Sequence, residues 1–422
     1  MTAATRRSVA VVGAGVSGLT AAWILQRDAE VTLYEALPRL GGHAHTHDVP
    51  VGNRYVAVDS GFIVHNQRTY PNLLRLFAEL GVETRETQMS MSVRCDGCGL
   101  EYAGSKGFGG VFAHASSLRN PAYLRMLAEV KRFHIAARRL LRQHEDTPRT
   151  LDAFLREGRY SRYFIQHFMV PVVSCVWSCS PGTALMYPAR YLFQFLDHHG
   201  LLSVSGSPTW RTVVGGSRTY VERATKELTA VRTQTPVRSV TRGDRGVEIH
   251  DADGRAHWHD QIVVATHADE ALAMLADPTP AQRRILGAFT YSVNRTALHT
   301  DASLLPTSHR VRASWNYRLD ACQTTADRVR VSYDMNRLQG LTEDANYVVT
   351  LNADDRIAAD EVIATMDYTH PIYTTDSLAA QAELPSLSDG VLAFAGAYHG
   401  WGFHEDGCAS GVRAAESLGV TW

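Results

Sequence analysis

Three glycines in six residues, Gly13-Ala14-Gly15-Val16-Ser17-Gly18, follow directly on an apolar run at residues 9–12. That run is β-branched except for Ala10, the composition of a strand buried on both faces of a parallel sheet. A helix is expected next, through Ala22 and Leu25, and then a second strand, Val31-Thr32-Leu33-Tyr34, closing on Glu35. In such a βαβ unit each glycine has a steric task. Gly13 permits the tight turn, Gly15 lets the backbone approach a pyrophosphate, and Gly18 lets helix and strand pack closely, with Ser17 in the first helical turn. The helix N-terminus offers unpaired N–H groups to phosphate oxygens. Glu35 stands where a carboxylate accepts the ribose hydroxyls of an adenosine.

The continuation, Glu35-Ala36-Leu37-Pro38-Arg39-Leu40-Gly41-Gly42-His43, bears on which dinucleotide is bound. A second glycine pair, Gly41 and Gly42, brings another stretch of backbone to the pyrophosphate, and Arg39 adds a positive charge. On these residues the chain resembles the FAD-dependent amine oxidase and phytoene desaturase superfamily, whose pattern is an acid, three residues, Arg, one residue and Gly-Gly. His43 stands where that superfamily usually has Arg or Lys, and is counted with the cofactor-binding set. The resemblance implies an α/β fold: a Rossmann-like FAD-binding domain of the glutathione reductase type, amine oxidase-like, interleaved with an α+β substrate domain. It also implies roles for later segments. Asp59-Ser60-Gly61-Phe62, where a strand turns at Gly61, would lie beside the flavin ring. Gly215-Gly216 precedes a helix at 220–228, Val237 would hold the adenine through its backbone, and Ala265-Thr266 closes a buried strand that begins at Gln261.

Near the C-terminus an apolar strand at 391–395 is followed by Gly396. Trp401-Gly402-Phe403-His404-Glu405-Asp406-Gly407 then opens a final helix. In flavoproteins of this shape the strand carries the ribityl chain and the helix N-terminus points at the flavin. Its charge of about +0.5 stabilises a reduced, anionic ring. Gly396, Phe403, His404, Glu405, Asp406 and Gly407 are therefore expected around the cofactor, with a helix cap as the alternative role for Asp406. No cysteine occurs between residues 367 and 394, where monoamine oxidases with covalent flavin carry one, so non-covalent FAD is expected. His404 is the main catalytic candidate beside the flavin. His65 and His399 are further candidates for proton transfer, because imidazole titrates near neutrality.

Composition narrows the partners. The 422 residues, 45% hydrophobic and 20% charged, fit two or three globular domains. A formal net charge of -1 lacks the basic excess of a nucleic-acid binder. Only three of the 42 basic residues are lysines, Lys106, Lys131 and Lys226, and none answers to the lysine that many amine oxidases hold near the flavin. Six cysteines are too sparse for a disulfide scaffold, and neither an apolar leader nor a membrane-spanning run is visible, so a cytoplasmic protein is expected. Residues 118–143 carry Arg119, Arg125, Lys131, Arg132, Arg138, Arg139 and Arg142 against a leucine-rich face. That pattern reads either as a solvated helix or as a peripheral contact with the inner membrane face. Cys95-Asp96-Gly97-Cys98 reads both as half a zinc site and as a hairpin turn. With no partner pair in sequence, and with Cys175 and Cys179 on a helix of their own, no metal centre is expected.

Further stretches carry a closer resemblance: Gly41-Gly42-His43-Ala44-His45-Thr46, Arg68-Thr69-Tyr70-Pro71-Asn72-Leu73, Ala313-Ser314-Trp315-Asn316-Tyr317 and Met335-Asn336-Arg337-Leu338-Gln339. On these the whole chain is similar to NAD/FAD-binding proteins that resemble the N-terminal domain of plant cyclopropane fatty acid synthases. The resemblance implies a lipid context and a cyclopropane-synthase-like methyltransferase as a partner. The expected division is an FAD domain at 1–75, 205–285 and 380–422, and a substrate domain at 76–204 and 286–379. The latter holds a hairpin at 89–102, a helical block at 120–200 and strands between 295 and 351. Hydride leaves most readily from an allylic carbon or one next to nitrogen, so the expected activity is desaturation or related oxidation of an activated carbon in an acyl chain. A flavin amine oxidase and a non-catalytic flavoprotein partner of the methyltransferase are the alternatives. An apolar slot is expected from Phe164, Phe168, Val172, Cys175, Val176, Cys179, Tyr187, Tyr191, Phe193 and Phe195, residues that read equally as helical core.

Overall fold

The fold was analysed in a computed structural model, which describes residues 6–143, 149–203, 206–323 and 328–422. The start of the polar N-terminus, residues 144–148 of the helical block, the boundary at 205, and 324–327 of the strand region lie outside the described residues.

A five-stranded parallel sheet forms around the glycine-rich segment. Its strands are Ser8–Val12 (β1), Glu30–Tyr34 (β2), Ala230–Arg232 (β3), Gln261–Val264 (β4) and Leu392–Phe394 (β5), in the order β3-β2-β1-β4-β5. β1 is paired on both sides, which explains why its apolar run does not alternate with polar residues. Two helices cover one face: Val16–Leu25 (α1), apolar all round and almost wholly buried, and His404–Ser417 (α2).

The contact between these helices depends on two glycines one turn apart. A Cβ at Gly407 would lie 2.6 Å from Val16 Cγ1, and one at Gly411 would lie 2.3 Å from the Ser17 carbonyl oxygen. The backbone of α2 therefore rests directly on α1, and Cys408 and Thr20 meet in the seam at 3.4 Å. Gly411→Val should lower stability by about 3 kcal/mol through overpacking. A denaturation midpoint equal to that of the parent protein would show that the seam is looser.

A seven-stranded sheet builds the other principal layer. Its order is Val362–Ile372, Thr290–His299, Val348–Leu351, Val331–Asp334, Trp315–Leu319, Met91–Cys95 and Leu100–Tyr102. The last two strands are the expected hairpin. Helices Pro121–Arg142, Leu151–Glu157, Val170–Trp177, Pro181–Met186 and Ala189–His198 supply the helical block. Sequence reading missed the eleven-residue edge strand Val362–Ile372. Its Asp, Thr, His and Pro residues look loop-like, but Pro371 is tolerated at an edge where an N–H is not required.

Phe164, Phe193, Phe195 and Tyr187 pack on Phe133, Phe154 and Trp177, as the helical-core reading of this block expects. Cys175 and Cys179 stay inside that core, whereas Cys95 and Cys98 gain two companions that sequence did not pair with them, His167 and Cys322.

Candidate functional site: the glycine-rich crevice and the aromatic wall

β1, β2, β4 and β5 run parallel, so their C-terminal ends lie along one edge of the sheet, the place where open α/β sheets bind ligands. Gly13 sits there at φ +100°, and a Cβ would lie 2.6 Å from the Ala265 carbonyl oxygen. A Cβ on Gly18 would meet the Gly13 carbonyl oxygen at 1.9 Å. Gly15 is different. It is the N-cap of α1, no side chain caps that helix, and nothing lies within 4 Å of where its Cβ would be. The N-terminus of α1 is thus left without a capping side chain and with open space beside Gly15, as an anionic pyrophosphate requires.

The flanking residues are tied to the same turn. The Glu35 carboxylate accepts hydrogen bonds from the N–H groups of Ala14 (2.9 Å) and Leu37 (2.9 Å). Gly41 N–H donates to Ala14 at 2.8 Å, and a Cβ on Gly42 would lie 3.0 Å from Gly15 Cα. Arg39 Nη1 donates to the Gly42 carbonyl at 2.7 Å, which pins its charge to the second glycine pair. Thr235 N–H donates to the Glu35 carbonyl, bringing the segment before Val237 to the same edge. Ala265, Thr266 and Gly396 follow β4 and β5 there, with Gly396 N–H held by Ser410 Oγ at 2.9 Å and Ser17 buried under α2.

A second group lies at the N-terminus of α2. The His404 ring stacks on Phe62, with centroids 3.7 Å apart and planes at 11°, and its Nε2 meets the Tyr220 hydroxyl at 3.1 Å. Burial holds His404 neutral, lowering its pKa to about 3. His65 is buried near Phe62, with ring centroids 6.4 Å apart, both ring nitrogens without a hydrogen-bond partner among the described residues, and a pKa lowered to about 4, again by burial. The His399 ring packs against Tyr398, and burial lowers its pKa to about 3. His43 stacks on Tyr368 and stands edge-on to His370, and burial holds it well below the usual imidazole range. It brings no positive charge, and its Nε2 is an unpartnered buried atom.

Four expected cofactor contacts turn out to be committed within the protein. Asp59 accepts from Thr46 Oγ1 (2.5 Å), Ser217 N (3.0 Å), Ser217 Oγ (2.8 Å) and Gln339 Nε2 (3.1 Å), so it locks the Gly215-Gly216 turn in place. Glu405 faces away and caps the helix Pro71–Glu79 through the N–H groups of Asn72 and Leu73. Asp406 takes the cap role, accepting from Phe403 N–H at 2.9 Å. Ser60 is similarly engaged, by His47 (2.8 Å) and Tyr368 (2.7 Å). Gly61 has a packing reason, since a Cβ there would lie 2.1 Å from the His43 carbonyl oxygen.

Burial raises the Asp59 pKa to about 6, above its unfolded value. Its contribution to stability is therefore fully present below about pH 4 and is lost as pH rises through about 6. Relative to Asp59→Asn, the parent should lose stability over that interval in thermal melts. Parallel pH profiles would contradict the burial argument.

Trp177 and Tyr373, which sequence reading missed, join residues it had named to complete the surroundings. Phe403 stacks on Phe195 with centroids 4.8 Å apart, and Trp177, Trp401, Tyr191 and Tyr373 extend that aromatic wall. Tyr220, Tyr368 and His370 had no local signal, because each reaches the site only through tertiary pairing.

The sheet order, the glycine cradle and the aromatic wall define an enzyme of the two-lobed flavin-dependent class. The chain belongs to the flavin-containing amine oxidoreductase family, whose model matches residues 16–334. It is an FAD-dependent oxidoreductase, and the open helix N-terminus at Gly15 fits that cofactor's diphosphate. Its fold is similar to that of cyclohexylamine oxidase from Brevibacterium oxydans IH-35A, at 16% identity and TM-score 0.70 over 98% of each chain. It is also similar to a CLA-producing fatty acid isomerase from P. acnes, at 16% identity and TM-score 0.67 over 97% of this chain and 98% of that one. A putative protoporphyrinogen oxidase from Exiguobacterium sp. 255-15 shares the fold at 15% identity and TM-score 0.65 over 98% of each chain. A search of curated protein sequences returned no match.

Proposed function

We propose that this enzyme oxidises or desaturates an activated carbon in a fatty acyl or other lipid chain. The observation that carries this reading is the neutrality of the wall beside Phe62. The side chains there are aromatic or uncharged imidazole, and the neighbouring carboxylates Glu405 and Asp406 are both engaged as caps. Such a surface accepts an apolar chain and offers a charged substrate group little compensation for lost water. A fatty acid isomerase of the same fold supports the idea that this architecture admits an acyl chain.

Bound FAD supplies a two-electron acceptor for hydride. On this reading Gly13, Gly15 and Gly18 shape the diphosphate cradle, Glu35 accepts from the ribose, and Val237 lies at the adenine end. The N-terminus of α2 would favour negative charge on a bound flavin, and His404 and Phe62 would orient the reacting carbon and exclude water. Attachment is non-covalent: Cys408 lies between the two helices, and the other five cysteines belong to the hairpin and helical block or follow the strand Trp315–Leu319.

The basic helix Pro121–Arg142 exposes Leu124 and Ile135 beside Arg125, Lys131, Arg132, Arg138, Arg139 and Arg142, a surface suited to anionic headgroups. Among the described residues no helix is long and apolar enough to cross a membrane. Collection of an acyl chain from a bilayer, and a lipid methyltransferase acting on the same chain, belong to this reading.

Amine oxidation is the second reading, because an aromatic wall also accepts a neutral amine. Against it, Lys106 is bonded to the Arg312 carbonyl, while Lys131 and Lys226 lie on surface helices, leaving no lysine for the flavin. Mass spectrometry of lipid extracted from the purified yellow protein, with membrane fatty acids compared in cells with and without the gene, separates the two. An altered acyl profile is expected. An unchanged profile together with peroxide release from a panel of amines would overturn the lipid reading.

A further inference from the structure

We infer that Cys95, Cys98, Cys322 and His167 form a closed structural zinc site, remote in role from the flavin chemistry. The four ligand atoms lie within 4.8 Å of one another. A tetrahedral zinc with bonds of about 2.3 Å to sulfur and about 2.0–2.1 Å to nitrogen has S···S edges of about 3.8 Å and S···N edges of about 3.6 Å. Cys95 Sγ lies 3.8 Å from Cys322 Sγ, and Cys98 Sγ lies 3.6 Å from His167 Nε2.

The surroundings prepare each ligand. His167 Nδ1 lies 3.1 Å from the Tyr163 carbonyl oxygen, so its proton is held at Nδ1 and the Nε2 lone pair faces the thiols. Gly97 has no room for a side chain, since a Cβ would lie 2.9 Å from Ala321 Cα and from Cys322 N. Gly99, at φ +68°, turns the chain back into the strand Leu100–Tyr102. His167 itself lies in a π-helical turn, Ile165–Met169, an irregularity that often accompanies ligand sites.

The site joins three pieces of chain: the hairpin at the sheet edge, the segment following the strand Trp315–Leu319, and the helical block. Four protein ligands leave no open position, which assigns the ion a structural role rather than a catalytic one. Loading releases the three thiol protons to solvent and involves no change of oxidation state.

Elemental analysis of the purified full-length flavoprotein should find one zinc per chain. Cys98→Ser, at an exposed position, and His167→Ala should each lower that content about tenfold or more, while Cys179→Ala retains it. Because variants can fail to fold, the parent protein gives an independent reading: exchange into Co²⁺ should produce thiolate-to-cobalt charge-transfer absorption. Isolated protein that holds less than a tenth of an equivalent of zinc and develops no such band when offered Co²⁺ would overturn the site. A Cys95–Cys322 disulfide in the freshly purified protein, found by mass spectrometry, would overturn it equally. Neither outcome depends on which substrate the flavin oxidises.

Discussion

Gly15→Trp is expected to yield a folded but colourless protein. The position of Gly15 separates two effects that glycine substitutions in such turns usually mix. Its neighbours Gly13 and Gly18 are packed so closely against Ala265 and each other that any side chain there disturbs the apoprotein. At Gly15 the space beside the backbone is open, so an indole can be accommodated by the chain itself. It would occupy the place where the unpaired N–H groups of α1 meet the diphosphate, and flavin content should fall at least about a hundredfold, a loss of about 2.7 kcal/mol or more in binding. Circular dichroism and the melting curve of the apoprotein should stay close to those of the parent. A retained yellow chromophore would refute the assignment of the cradle.

His404→Ala should leave the flavin bound and slow its reduction by about tenfold to a hundredfold. The ring is held by Phe62 on its face and Tyr220 at its edge, so truncation removes a fixed wall and allows water in beside the reacting atoms. Since burial keeps His404 neutral down to about pH 3, it gives no ionisation between pH 5 and 9, and the slowing should be constant across that range. Rapid-mixing reduction with the substrate identified from the lipid extract would measure both features. Normal single-turnover reduction would remove His404 from the site, and a slowing that grows as pH falls through 6.5 would assign it a titrating role instead.

These expectations differ in how far sequence could support them. The βαβ unit was legible because its spacing is local: strand, glycines, helix and acid occupy twenty-eight consecutive residues, 8–35. Glu405 and Asp406 were legible as acids at a helix start but not by role, since a cap and a ligand contact use the same residue type and only the partner tells them apart. Asp59 looked like a cofactor contact for the same reason, and its partners Ser217 and Gln339 lie 158 and 280 positions away. Nothing in Tyr368 or His370 marks them in isolation. They face His43 only because a polar edge strand closes the second sheet. Cys322 and His167 are the extreme case, joining Cys95 and Cys98 across 227 and 69 positions.

The seam between α1 and α2 has a consequence for how the chain is made. Thr20 and Cys408 touch although 388 positions separate them, and β4 reaches β1 only after 261 residues have been synthesised. Until residue 417 leaves the ribosome, α1 has no cover for the apolar surface that α2 later buries. Such late closure makes a slow, aggregation-exposed nascent chain. The glycines that define the cradle therefore appear first in synthesis and become a binding site last.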